Sequence, residues 1–285
     1  MAWSSFTIAT GRSQAVPHGP CFTGGHVLLV GDGEGGDVGR PFRVVKANLL
    51  LDGIPSRLLA QTFSSELGMW GACTEIQTSH IHGNSSSDPL SGGPLVVGGA
   101  VHWLCRTSSA GYVLKLHDVR AAAAPRLTVT RLPNSYPYNS GGRMHHLLAT
   151  IMEAGRRRPA VLVADGDKIS AWTQSTRFKW NEQPQLVIQL QDAISRFLGS
   201  AGDERLLKPT PSWMSPREHV ILEWFAERSG IVLIRRMRDY YYFWLDLRSM
   251  EIVRWSRDPR IGYTAMYWPC EMDLTTWVPT FSSSL

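Results

Sequence analysis

Short apolar runs separated by clusters of Gly, Pro, Asn, Asp and Ser dominate the chain, and this punctuation predicts closely spaced antiparallel strands. The runs are HVLLV (26–30), PFRVVKANLLL (41–51), RLLAQTF (57–63), PLVVGGAVHWLC (94–105), YVLKLHDV (112–119) and RLTVTRL (126–132). They continue with HLLATIM (146–152), PAVLVAD (159–165), KISAWTQ (168–174), QLVIQL (185–190), HVILEWF (219–225), GIVLIRRM (230–237), YYYFWLDL (240–247) and EIVRWS (251–256). Several are apolar at consecutive positions, so both faces of their sheets need cover, and other sheets are the expected cover. One stretch breaks the period of two. LQDAISRFLG sets Leu190, Ile194, Phe197 and Leu198 on one face at helical spacing, which predicts a short helix crossing between sheets.

Four segments repeat one phrase: a strand, a polar turn residue, a small hinge and a second strand rich in aromatic or apolar residues. They are TFSSELGMW, LHDVRAAAAPRLTV, AWTQSTRFKW and WLDLRSMEIVRW. With Ser64, Asp118, Thr173 and Asp246 taken as equivalent, the intervals are 54, 55 and 73 residues. The long interval holds the helical stretch and the proline-rich KPTPSWMSP. Intervals of this length fit one four-stranded propeller blade, each phrase supplying its outer two strands. The polar residue can bond its own backbone and start the turn, and the aromatic beyond it can cover the face between blades. Trp70, Trp180 and Trp255 therefore read as packing residues. The expected fold is all-β: an antiparallel, kelch-like β-propeller domain, open or incomplete, over residues 26–281, with about five sheets and one short helix. Residues 1–25 read as an irregular N-terminal segment and 282–285 as a tail.

The ordered set PFRVV, TFSSELGMWG, PLVVGGAVHWL and YVLKLHDV resembles the propeller domain of plant F-box proteins, the F-box-associated type abundant in grasses. The matching positions are Phe63, Ser64, Ser65, Glu66, Gly68 and Trp70, then Val97, Gly98, Ala100, His102, Trp103 and Leu104. The likeness is strongest over residues 41 to 133, and VLVADGDKISAW and FWLDLRSMEIVRW carry it more thinly afterwards. It implies a receptor: an F-box helix bundle grips the adaptor of a cullin-based (SCF-type) ubiquitin ligase, while the propeller captures a target protein. Residues 1–40 show no leucine-spaced helical pattern of an F-box, so ligase components are expected partners only where an F-box is supplied elsewhere. The alternatives are a truncated or decoy fragment and a propeller-fold hydrolase.

Composition changes this picture little. Net charge is +5 and charged residues make up 19% of the chain, too weak a basic excess to predict nucleic-acid binding. No apolar run reaches the length of a membrane span, and MAWSSFTIATGRSQAVPHG lacks a secretory pattern, so the expected location is cytoplasmic or nuclear. Cys21, Cys73, Cys105 and Cys270 are widely spaced and read as buried, reduced thiols.

Candidate chemistry is sparse. GDGEGG (31–36) follows a strand and has Asp52 about twenty residues on, yet Pro41 and a β-branched run come next, so a hairpin loop replaces the helix that a dinucleotide site needs. His80 with His82, and His145 with His146, lack a third metal ligand at a recognisable spacing. No G-x-S-x-G occurs, and no cysteine has an assignable base. The expectation is a protein without catalysis, cofactor or metal. Two basic tips stand out instead: Arg156, Arg157 and Arg158 in EAGRRRPA, and Arg235, Arg236 and Arg238 beside Tyr240 in IRRMRDYYYFW. Guanidinium forks suit carboxylates and aromatics anchor interfaces, so these residues are the candidate surface for an acidic target protein.

Overall fold

The computed structural model describes residues 4–7, 13–17, 22, 25–30, 42–51, 55–78, 80–84, 90, 93–117, 126–138, 145–175, 179–201, 220–236 and 241–257. The statements below concern these residues. They form four antiparallel sheets in a four-blade propeller arrangement, with one two-stranded pair and one helix.

The first sheet contains β3 (Gly25–Val30), β4 (Phe42–Leu50), β5 (Ser56–Ser64), the short β6 (Met69–Trp70) and β7 (Thr74–Thr78), the last two both pairing with β5. The second is a meander of β8 (Leu95–Val97), β9 (Ala100–Arg106), β10 (Gly111–His117) and β11 (Arg126–Arg131). The third runs β12 (His145–Glu153), β13 (Arg156–Asp165), β14 (Lys168–Thr173) and β15 (Leu186–Gln189). The fourth runs β16 (Val220–Ala226), β17 (Ile231–Arg236), β18 (Tyr241–Asp246) and β19 (Glu251–Arg257). Between the third and fourth, α1 (Leu190–Ala201) packs on β15 and β19, burying Leu190, Ile194 and Leu198 as the helical spacing predicts.

The repeated phrases form the outer halves of the first, second and fourth blades, whereas the one in the third blade ends at Trp180, before the outermost strand β15. TFSSELGMW spans β5 and β6, LHDVRAAAAPRLTV joins β10 to β11, AWTQSTRFKW runs from β14 to the isolated bridge Gln174–Trp180, and WLDLRSMEIVRW is β18 and β19. The turn chemistry holds at two of the phrases: the Asp246 carboxylate accepts the Arg248 N–H at 2.8 Å and the Ser64 hydroxyl accepts the Leu67 N–H at 3.4 Å, whereas the Thr173 hydroxyl accepts from the Asn181 side chain at 2.8 Å. All three indoles pack. Trp70 meets Phe63 edge-on at 5.6 Å, Trp255 meets Tyr241 at 5.7 Å, and Trp180 lies buried with its N–H on Thr130 of the neighbouring blade.

Two-faced burial explains the stacking. Val45, Ala47, Leu49 and Leu58 of the first sheet share a core with Val101, Trp103, Tyr112 and Leu114 of the second. A second core joins the second, third and fourth sheets and α1 through residues such as Leu104, Leu148, Leu162, Ile194 and Ile234. β12 lies alongside β16, as the innermost strands of adjacent blades do, and touches β9, the second strand of its other neighbour. Across the centre, the Val96 N–H of β8 donates to the Glu227 carboxylate in the turn after β16 at 2.7 Å.

The segment 1–25, read above as irregular, contains β1 (Ser4–Thr7) paired antiparallel with β2 (Ser13–Val16). Val16 packs against Phe42, Val44 and Phe63 on the face of the first sheet turned away from the second, and the Pro17 carbonyl accepts the Trp70 indole N–H at 2.5 Å. The boundary drawn at residue 25 therefore crosses a packed seam.

Gly111 marks a close approach at the second blade. A Cβ there would stand 2.7 Å from a Tyr136 ring carbon and 2.9 Å from a Leu132 methyl. We expect Gly111→Ala to cost about 1–3 kcal/mol, read as a lowered urea midpoint, while Gly25→Ala, which meets nothing within 4 Å, leaves it nearly unchanged. Equal midpoints would show that the seam yields at no cost.

Candidate functional site

The strands of each blade alternate in direction, so their turns gather at two opposite ends. One end carries the β12–β13 turn (154–155), the β16–β17 turn (227–230) and the β18–β19 turn (247–250). The arginines show that these turns converge. Arg157 Nη2 of the third blade donates to the Arg228 carbonyl at 3.2 Å, and Arg248 Nη2 of the fourth donates to the same oxygen at 3.3 Å. Two guanidinium groups thus share one acceptor, each spending one of its five N–H donors. Neither Arg157 nor Arg248, nor the exposed Arg156 beside them, has a carboxylate partner among the described residues.

Below this convergence an open groove of about 600 Å³ runs along the seam between the third and fourth blades. Its apolar lining is Ile151, Met152, Leu186, Leu247 and Met250. Thr173, Gln185 and the ion pair of Arg158 with Glu153, 2.9 Å apart, supply the polar wall together with Arg248. Met152 and Met250 are each 42% exposed, a large apolar area to leave in water at one mouth. Methionine is flexible and polarisable and adapts to varied partners.

The backbone at this rim is also unusual. Among the described residues, two that are not glycine adopt positive φ, Ala154 at 48° and Met250 at 58°. Both stand in these turns. Ala154 with Gly155 makes the two-residue hairpin connection, which needs the left-handed region at both positions. Met250 has no such freedom, and holding a long side chain there costs on the order of 1 kcal/mol.

The structure separates the two basic tips named from the sequence. Arg156 and Arg157 lie at the grooved rim and Arg158 lines the groove. Arg235 and Arg236 end β17, which runs from turn 227–230 to the opposite end of the blade. Arg235 is paired there with Glu223, and Arg236 is buried, its guanidinium over the rings of Tyr241 at 5.5 Å and Phe243 at 5.8 Å. These two are built into the fourth blade. Arg238 and Tyr240 lie outside the described residues. Arg248, Met152 and Met250 escaped the sequence reading, because nothing in DLRSMEI or TIMEAG marks them as neighbours. The alternation of strand direction is the signal that could have paired these turns.

The remaining candidates take structural places. GDGEGG lies outside the described residues, but it connects β3 to β4, which pair antiparallel from Val30 to Phe42, so a strand follows where a dinucleotide site needs a helix. His80 and His82 are exposed, and no group of three metal-ligating side chains occurs among the described residues. His146 spends Nδ1 on the hydroxyl of Tyr136 at 2.6 Å, and burial, with Arg106 and His145 nearby, lowers its pKa to about 3. Burial, then Lys115 and His117, lowers His102 to about 4. Cys105 is buried as expected and its thiol is pushed up to about 12, chiefly by desolvation, whereas Cys73, also expected to be buried, is exposed in the short stretch between β6 and β7.

Fold and rim together define a β-propeller with an open, arginine-edged groove between two blades. Comparison of the chain with protein-family models, curated proteins and solved structures finds no match.

Buried His102 and half-buried His146 are both neutral in the fold and have ordinary pKa values near 6.5 when unfolded. The unfolded chain therefore takes up protons first as pH falls. Stability present above pH 6.5 is expected to decline as pH falls from about 6.5 toward about 4, because only the unfolded chain protonates these imidazoles there. Urea titrations across this window should show a shallower decline in His102→Asn/His146→Asn. An identical slope in that variant would remove the histidines as its source.

Proposed function

We propose that this chain is a non-catalytic protein-recognition module, akin to the target-binding half of an F-box receptor of a cullin-based ubiquitin ligase. A β-propeller is consistent with protein interaction because a rigid stack of sheets presents its turns at fixed spacing. The observation that carries the reading is the rim between the third and fourth blades, where Met152 and Met250 stay exposed beside arginines that no carboxylate satisfies. Exposed apolar anchors ringed by polar groups are the make-up of an interface core. The inert state of Cys105 and the engagement of His146 by Tyr136 favour binding over chemistry at these groups. The likeness of residues 41–133 to the grass-type receptors supports the ligase connection, which requires an F-box acting with this chain. Its working place on this reading is the cytoplasm or nucleus.

A photo-crosslinking amino acid placed at Met152 tests recognition against the same residue at Asp167, an exposed turn position at the opposite end of the third blade. Irradiation in plant extract should give a discrete protein adduct from position 152 and none from 167. Equal labelling from both, or none from either, would count against the grooved rim as the recognition surface. Fusing an F-box to the chain should then direct ubiquitin to the adducted protein, and failure of that transfer alone would remove only the ligase role.

A further inference from the structure

We propose that the groove between the third and fourth blades takes an acidic peptide segment of the partner, with one large apolar side chain seated between Met152 and Met250 and a carboxylate held by Arg157 and Arg248. This rests on the recognition reading above and adds the chemistry of what is recognised.

Charge decides the occupant. Arg157 and Arg248 reach one carbonyl from different blades, so their unused N–H groups lie within one short span, the spacing that a two-oxygen acceptor bridges. The acids of this rim are already committed: Glu153 to Arg158, an oxygen of Asp246 to the Arg248 N–H, and Glu227 to Val96 at the centre. Among the described residues Glu251, exposed and next to Met250, opposes an acidic guest, as does Asp246, which its bond to a backbone N–H leaves charged. A guest carboxylate would relieve the mutual repulsion of two guanidinium groups, which a basic or neutral guest could not do.

Shape decides the rest. The open groove of about 600 Å³ falls in the range that receives a small ligand or a few side chains. Its apolar floor of Ile151, Leu186 and Leu247 lies within reach of the charged mouth, so an acidic residue and an apolar one close together in sequence can engage both. The positive φ of Met250 fits the same use. Glycine would be at ease at 58°, yet the site holds a side chain that the fold does not bury.

The test is fluorescence anisotropy with a labelled pool of nine-residue peptides, each with a central leucine or methionine among aspartates and glutamates. A pool with lysines in place of the acids and a single-stranded oligothymidylate of equal net charge are the comparison probes. The acidic pool should bind, weaken at least tenfold in Arg157→Ala/Arg248→Ala, and tighten in Glu251→Gln. Met250→Gly should weaken binding while keeping or raising the urea midpoint, since it relieves the backbone; this variant separates lost contact from lost fold. No binding of the acidic pool, binding insensitive to Arg157 and Arg248, or equal binding of the oligothymidylate would each overturn the proposal. If position 152 still cross-links a protein in those cases, the acidic chemistry falls and recognition at the groove stands. If it does not, both fall.

Discussion

A sheet that is apolar on both faces cannot remain alone in water, and this constraint organises the molecule. Burying one large aliphatic or aromatic side chain is worth roughly 1.5–3 kcal/mol, and β9, β10, β13 and β17 bury such groups at consecutive positions. Each sheet therefore needs a neighbour on either side, and radial stacking supplies one. The first sheet shows what happens where a blade face meets something else. There β2 contributes Val16 against Phe42, Val44 and Phe63. Two buried polar side chains share that face, Lys46 with its ammonium 5.0 Å from the Phe22 ring and Gln61 donating to the Gly71 carbonyl at 3.0 Å. Chain flanking the blade, here Val16, Pro17 and Phe22, takes the part that a sheet plays elsewhere.

Much of this architecture was legible in the order of residues. Three of the strand–turn–aromatic phrases mark the outer halves of their blades, and AWTQSTRFKW marks the approach to the last strand of the third. The helix at Leu190–Ala201 was equally plain, since four apolar residues at helical spacing have no use in a strand. β1 and β2 were not legible: SSFT and SQAV offer neither alternation nor an apolar run, and their pairing depends on the sheet beside them. The site was half legible. Arg156, Arg157 and Arg158 announce themselves as a cluster, whereas Arg248 is one arginine in an ordinary turn and gains meaning only by meeting Arg157 over the Arg228 carbonyl. Grouping the arginines of β17 with them failed on strand polarity, which a list of basic residues does not contain.

The rim gathers several departures from what folding alone favours. A long side chain sits in the left-handed region, two methionines face water, and two cations crowd one oxygen. Each is a small cost, and they coincide at one inter-blade seam. By contrast, Arg235 and Arg236 show arginine in its structural role, the first neutralised by Glu223 and the second laid over two aromatic rings. The same residue type serves cohesion at one end of a blade and is left available at the other.

The bond from Val96 to Glu227 bears on how the chain is made. Every blade pairs strands that follow one another closely, so each leaflet can assemble soon after it leaves the ribosome, with little waiting for distant partners. The clasp across the centre cannot. Its two ends are 131 residues apart, so the second leaflet must wait, already formed, while the whole third blade is synthesised before its innermost strand meets that acceptor.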